Sequence, residues 1–519
     1  MKELESAVLF RQCLRLGVGF APEELDRPIV GVVNSYGEVN PAAIHLGKVT
    51  SAAKAGIRFA GGTPIEFCIS SVCGGMSGGG TAQRYSFATR DIISSYVEAV
   101  TRVQHFDALL FTSVCDWGVP AHLITCARLN IPSIVVLGGY MMPRSYGSED
   151  ICPFDMLSKF GLFKSGKITE EQLEVVKHGA CTGSGACPQM GTANTMAAVA
   201  EAMGMTLPGN STTAGVDNKL LTIAFHSGMQ VLNLLRNKIR PRNIMTRDSV
   251  LNAIRVYLAL GGSTNAIHQI LDLSAQLGLD IPLETFDELG RKTPTICSVQ
   301  PLGKYNLRDL DEAGGLPALM KELAPLLNLD VTTVTGRTLG ENLSKAEVRR
   351  REVIHALSNP LQKEGSIAIL RGNLAPNGAV VKQVAVPKKM LKYQGRAKVF
   401  NTEEEACEAL MSKYLRPGDV AVIRYLGDKA EPGEIVRFLK LLVGMNLDSS
   451  IAAVTDGRLS GSDRGCAIAH VQPEAAEKGP IALVEDGDTI EIDIPNRTIS
   501  VLVSSDKLAN RLSDLEKHK

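Results

Sequence analysis

Runs of apolar residues and their spacing divide this chain into two stretches of different character. In roughly the first 340 residues, short continuous β-branched runs alternate with helix-length segments. The runs at 28–34 (PIVGVVN), 64–72, 108–114 and 133–137 predict strands buried on both faces, while 44–59 has helical periodicity. Continuous apolar strands separated by helices predict a parallel sheet covered on both sides. Helical patterns dominate from about 170 to 327, for example at 192–203 and 249–258. From 366 onward short strands crowd together: SIAIL, GAVVKQVAV, AKVF, DVAVIRY, SIAAVT, IALV, TIEIDI and TISVLV. Turn signals such as Pro376-Asn377-Gly378 and Pro417-Gly418-Asp419 separate them, and helices are expected at 402–415 and near 433–442. The charged segment 344–353 reads as a linker helix. The expectation is an α/β fold: an N-terminal parallel-sheet domain over 1–345 and a C-terminal β-rich, barrel-like swivelling domain over 346–519.

Composition narrows the function classes. At 519 residues the chain exceeds what one hydrophobic core holds. Lys plus Arg and Asp plus Glu balance at 55 each, so no net field draws nucleic acid or an anionic membrane. No apolar run approaches the roughly 20 residues that span a bilayer, and the charged first 16 residues read as an amphipathic helix rather than an export signal. Eleven cysteines, an odd number without a CxxC pair, predict reduced thiols and a cytoplasmic protein.

Candidate chemistry lies in four glycine-rich loops: 73–80, 179–191, 261–265 and 456–465. Such loops let a ligand approach backbone N–H groups at the carboxyl ends of strands. None is a Walker loop. Gly75-Met76-Ser77-Gly78-Gly79 fits the GxSxG hydrolase elbow, without an identifiable acid–His partner. Cys115 and Cys187 sit at a strand end and in a glycine-rich loop. Cys115 is followed by Asp116, which places a soft thiolate beside a hard carboxylate, donors suited to an Fe–S cluster and to Mg²⁺ respectively. Two buried thiols and a capping Asp are the alternative.

These residues carry a resemblance. Cys115-Asp116 with Pro120, then Ala127-Arg128-Leu129-Asn130-Ile131-Pro132-Ser133-Ile134, resembles a characteristic segment of the IlvD/Edd family of dihydroxy-acid and sugar-acid dehydratases. So do Gly185-Ala186-Cys187 with Thr192-Ala193-Asn194-Thr195-Met196, Gly261-Gly262-Ser263-Thr264-Asn265, and Thr455-Asp456-Gly457-Arg458-Leu459-Ser460-Gly461. The likeness runs in order from about residue 8 to 505. It implies an active site between an α/β domain and a barrel-like domain, a homodimer or dimer of dimers, and dehydration of a small hydroxy acid. It also implies a 2Fe–2S or 4Fe–4S cluster acting as Lewis acid, a Mg²⁺ ion, and a serine base.

Carried over by position, Cys115 and Cys187 are cluster ligands, Asp116 is a Mg²⁺ ligand and Ser460 is the base. Other positions depart. Ala42 stands for the first cluster cysteine, Gly74 for a Mg²⁺-binding Asp, and Trp117 for the lysine after the Cys-Asp pair. Val436 stands for a late Glu, with Glu434 near enough to serve. Cys73 or Cys68 supplies a replacement thiolate. Two readings remain: a dehydratase with an altered or missing Fe–S and Mg²⁺ site, or a repurposed scaffold that binds or regulates, or runs metal-free chemistry.

Overall fold

A computed structural model describes residues 4–79, 82–147, 149–461 and 464–517. Gly80 of the first glycine-rich loop, Ser462 and Asp463 of the last, and the first three positions of the expected N-terminal helix lie outside these ranges.

Four parallel strands make the first sheet: β1 (Ile29–Asn34), β2 (Thr63–Cys68), β3 (Ala108–Ser113) and β4 (Ser133–Leu137), in the order β2-β1-β3-β4. Strands β1, β3 and β4 are buried at every position, as their unbroken apolar runs require. Each fully buried Val, Leu or Phe contributes about 1.5–3 kcal/mol of transfer free energy. The edge strand β2 is shorter than its apolar run and carries Glu66, which accepts from Lys54 at 2.6 Å; a charged edge discourages pairing with another chain. Helices Leu46–Phe59 and Asn218–Arg236 cross tightly. A side chain at Gly56 would collide with the Phe225 carbonyl, 1.9 Å away, so glycine permits the crossing. A small hairpin, β5 (Arg144–Tyr146) and β6 (Glu149–Ile151), precedes the helical region, whose helices include Thr192–Ala202, Arg247–Leu260 and Asn265–Leu277.

The second sheet has eight strands: β7 (Ala368–Leu370), β8 (Gly378–Val381), β9 (Lys392–Phe400), β10 (Asp419–Ile423), β11 (Ala452–Thr455), β12 (Ala467–Gln472), β13 (Thr489–Asp493) and β14 (Thr498–Val501). Their order is β14-β13-β9-β10-β11-β12-β8-β7, parallel from β9 to β12 and antiparallel outside. A bridge between Arg371, next to β7, and Thr498 of β14 brings the two edges together, which makes the sheet a nearly closed barrel. Helices Glu403–Met411, capped by Thr402, and Val436–Met445 pack on its outside.

Three local expectations are corrected. Segment 344–353 is not helical. Arg350 spans Asp309, Glu312 and Glu352, and Val353 is buried, so these contacts hold the segment along the first domain without helical hydrogen bonds. IALV at 481–484 is not a strand. Pro480 opens a 3₁₀ turn, and the carbonyls of Ala482 and Leu483 accept from Arg424 and Arg511 instead of a neighbouring strand. Strand β12 has no counterpart among the expected strands; its residues, Ala467–Gln472, show no clear alternation.

Candidate functional site

The loops following β2 and β3, the start of helix Thr192–Ala202 and the Gly261–Gly262 turn face the 456–461 loop of the barrel domain. Gly461 makes the closest approach. It has φ +84°, and a Cβ there would sit 2.3 Å from Ser263 Cα. Its carbonyl accepts from the buried Lys382 Nζ at 2.6 Å. Thr192 Oγ1 donates to the Ser460 carbonyl at 3.2 Å, and Thr264 Oγ1 to the Leu459 carbonyl at 3.2 Å. Ser460 is therefore a buried residue on a turn clamped between both domains.

Cys115 opens helix Cys115–Leu129 with φ +72°, a left-handed conformation that costs a non-glycine residue roughly 1–3 kcal/mol and concentrates at functional sites. Its thiol meets that of Cys73. This interaction draws the Cys73 pKa down and, with burial, pushes that of Cys115 well up. Cys187 is raised well above the usual thiol range, chiefly by burial, with the charge of Cys73 among its neighbours. Cys68 ends exposed on the edge strand, away from this pair. Ala42 borders the Cys187 loop: its carbonyl accepts from Gly185 N–H at 3.1 Å, and its methyl offers no donor atom.

Burial lifts the Asp116 carboxyl to about 6, opposed by a hydrogen bond from the Ala193 backbone, so Asp116 and Ser460 both touch the start of the same helix. Trp117 is 2% exposed, and Phe87 meets its ring edge-on at 4.8 Å. The Arg458 guanidinium lies 4.6 Å from the Phe87 ring centre and 6.0 Å from that of Trp117. Glu434 pairs by a backbone bridge with Arg458; its carboxylate accepts from Asn265 Nδ2 at 2.6 Å and its N–H donates to Gln83. Deeper in the interface, His268 Nε2 and His470 Nδ1 lie 2.8 Å apart. Burial lowers both histidines, His268 to about 4.

Cys73 thus meets Cys115, Asp116 and Ser460 reach the start of helix Thr192–Ala202, Glu434 reaches it through Asn265, and the Cys187 carbonyl accepts from Asn194 of the same helix. Ser77 is spent otherwise: its hydroxyl donates to the Gly74 carbonyl at 2.6 Å within a 3₁₀ turn, not on a hydrolase elbow. Gln83, Ser86, Phe87, His268 and Lys382 were not singled out from sequence. Arg458 enters the sequence reading only as part of the 455–461 motif, although an arginine between glycine and the serine turn is an available signal; His470 has no such signal.

The residues test the implied cofactors differently. Cys73 and Cys115 bring two soft donors together, and Cys187 feels the charge of Cys73 from the adjoining loop; thiolates are the donors an Fe–S cluster takes. Mg²⁺ asks for several hard oxygens. Here Asp116 has a glycine and an indole as neighbours, and Glu434 is engaged by Asn265. Among the described residues no three His, Cys, Asp or Glu side chains stand together in metal-holding range. The donor set does not fit Mg²⁺.

Comparison with known proteins agrees with the architecture. Residues 27–342 match the family model "Dihydroxy-acid/6-phosphogluconate dehydratase N-terminal", and residues 352–519 match its C-terminal counterpart. The chain is 46% identical over 498 residues to a protein of Moorella thermoacetica named dihydroxy-acid dehydratase, covering 95% of this chain and 90% of the relative. Proteins of the same name from Caldanaerobacter subterraneus (45% over 508 residues, 96% and 91% covered) and Solidesulfovibrio magneticus (46% over 506 residues, 96% and 90% covered) are similarly related. The parallel-sheet domain, the near-closed barrel and the matches to both halves place this chain in the dihydroxy-acid/6-phosphogluconate dehydratase family.

Proposed function

We propose that this chain is a C–O lyase for a small hydroxy acid, with its thiolate site rebuilt and its divalent-cation site dismantled. Cys73, Cys115 and Cys187 would hold an Fe–S cluster, which when bound supplies a Lewis acid for a departing hydroxide. Ser460 faces the same crevice as proton acceptor. A serine needs nearby positive charge to lose its proton; the buried ammonium of Lys382, on the carbonyl of the adjoining Gly461, would provide it without a metal ion. Glu434 orients Asn265 rather than a metal. The observation that carries the reading is the gathering of the Cys73–Cys115 thiol pair and the Ser460 turn on one interdomain crevice of a dehydratase scaffold.

A second reading, a scaffold that binds hydroxy acids without dehydrating them, is favoured by Gly74 and Trp117 at positions where the resemblance implies ligands. Anaerobic purification decides between them. Stoichiometric iron and sulfide, with 2-keto acid released from a panel of 2,3-dihydroxy and sugar acids, supports the lyase. An iron-free protein that binds these acids and releases no keto acid supports the scaffold.

We place the domain division at 345/346, in the non-helical strap. We also infer a reducing, cytoplasmic setting, supported by the eleven free cysteines, and among the described residues no helix is long and apolar enough to cross a membrane. The helix Glu5–Val18 has no buried residue and exposes Leu9, Phe10, Leu14 and Val18, which supports self-association as a dimer or dimer of dimers. Light scattering on the eluted peak tests this; a monomeric mass would refute it.

A further inference from the structure

Three consecutive carbonyls of the barrel-domain turn each accept from a buried side chain. Leu459 is held by Thr264 Oγ1 at 3.2 Å, Ser460 by Thr192 Oγ1 at 3.2 Å and Gly461 by Lys382 Nζ at 2.6 Å. Behind Thr264 stands a second layer. Its Oγ1 lies 3.3 Å from His470 Nε2, and His470 Nδ1 lies 2.8 Å from His268 Nε2. The line from His268 to Leu459 crosses between the two domains at every step. His470 is held for it in a strained conformation, with φ +54°. The register of β12 against β8 shifts between Ala469 and Gln472, a bulge of the kind that re-aims a side chain. The His470 N–H donates to the Gly457 carbonyl at 2.9 Å, in the same loop as the turn.

The partners assign every proton in the line. A carbonyl only accepts, so the Thr264 hydroxyl proton goes to Leu459. Thr264 then offers His470 only lone pairs, so His470 carries its proton on Nε2 and leaves Nδ1 bare. A bare Nδ1 takes a donor, so His268 Nε2 is an N–H. Burial lowers both histidines, which keeps each neutral at pH 7 with a single ring proton. The charged groups around them are already paired, Arg458 with Asp428 and Arg90 with Asp272. Apolar side chains would fill this space without the cost of burying polar rings. What the imidazoles add is direction: they fix the rotation of the Thr264 hydroxyl, which would otherwise turn about its Cβ–Oγ bond.

We propose that His268 and His470 are positioning residues for the Ser460 turn, acting through a one-way line of hydrogen bonds from His268 to His470 to Thr264 to the Leu459 carbonyl. The line holds the backbone beside the proposed base from across the domain interface. The positioning role rests on the hydroxy-acid reading above; the direction of the line does not.

Asparagine and glutamine at position 470 separate the two ring nitrogens. The amide oxygen of asparagine stands near Nδ1 and leaves Thr264 without a donor. The amide nitrogen of glutamine stands near Nε2 and donates to Thr264. In keto-acid release by the anaerobically purified, iron-loaded protein, His470→Asn should lower kcat about 3–10-fold, the worth of one hydrogen bond, at unchanged KM. His470→Gln should restore most of that loss. Equal kcat in the two folded variants, or a change in KM alone, overturns the proposal. Solid-state ¹⁵N spectra of the native, histidine-labelled full-length protein at pH 7 test the direction without any variant. They should show one hydrogen bond between two imidazoles, from a protonated Nε2 to a bare Nδ1. A protonated Nδ1 facing a bare Nε2 reverses the line and overturns the proposal. No keto acid from the iron-loaded native protein overturns the lyase reading and the positioning role with it. The spectrum still reads the line in that case, so the two failures are told apart.

Discussion

Gly461→Ala should loosen the clamp that holds Ser460 between the domains. The native φ of +84° lies in the left-handed region, which costs an L-residue about 1–2 kcal/mol. The added methyl would also sit 2.3 Å from Ser263 Cα and 2.4 Å from its Cβ. The nearer atom is backbone, so no rotamer change relieves the overlap, and the two loops must separate by about 1 Å. That shift stretches the bonds from Thr192 to Ser460, from Thr264 to Leu459 and from Lys382 to Gly461, each worth about 0.5–1.5 kcal/mol net. Strain plus the loss of one or two bonds gives a destabilisation of about 3 kcal/mol. Urea unfolding should show it. Trp117 is the only tryptophan and borders the crevice, so its emission reports the site while far-ultraviolet circular dichroism reports the whole chain. Ser263→Gly in the same chain should not rescue stability, because Ser263 Cα remains. A midpoint for Gly461→Ala equivalent to less than about 0.5 kcal/mol of change would show that the turn is not clamped against Ser263.

Two further outcomes follow from buried charge. His122 is buried with Nδ1 2.8 Å from Ser113 Oγ, and burial lowers its pKa to about 3. Because the folded pKa lies below that of the unfolded chain, near 6.5, its contribution to stability is complete above about pH 6.5 and is lost as pH falls toward 3. Between pH 7 and 5 the loss is about 2 kcal/mol, and His122→Asn should show that much less pH dependence in urea unfolding; equal dependence would count against the assignment. Glu403 is 2% exposed and receives Arg437 Nε at 2.8 Å and the Phe438 N–H at 3.1 Å. Arg437→Met strands a buried carboxylate and should cost about 3–5 kcal/mol, with Glu403→Gln in the same chain recovering part of it; a double variant no more stable than the single one would contradict this.

Much of the fold is legible along the chain because burial writes a local signature. Strands β1, β3 and β4 are uninterrupted apolar runs since both faces are covered, and the barrel strands follow turn signals that fix their ends. What failed depends on distant partners. The strap at 344–353 is held by Asp309 and Glu312, some 40 residues earlier, which no helical periodicity encodes. IALV reads as a strand until arginines at 424 and 511 take its carbonyls. Barrel closure joins Arg371 to Thr498. The site divides the same way. Cys115, Cys187, Asp116 and Ser460 lie in motifs, whereas the meeting of Cys73 with Cys115, and of Ser86 with Trp117 across Gly74, arises from packing of two helices on the loop after β2.

On the proposed reading, a glycine, an indole and an engaged glutamate leave Asp116 unable to retain Mg²⁺. Calorimetric titration of MgCl₂ into the anaerobically purified protein addresses it directly, with Gly74→Asp/Trp117→Lys as comparison. The native chain should show no saturable binding, with or without a hydroxy acid, and the double variant a measurable site. Stoichiometric, saturable Mg²⁺ binding by the native protein, abolished by Asp116→Asn, would contradict it.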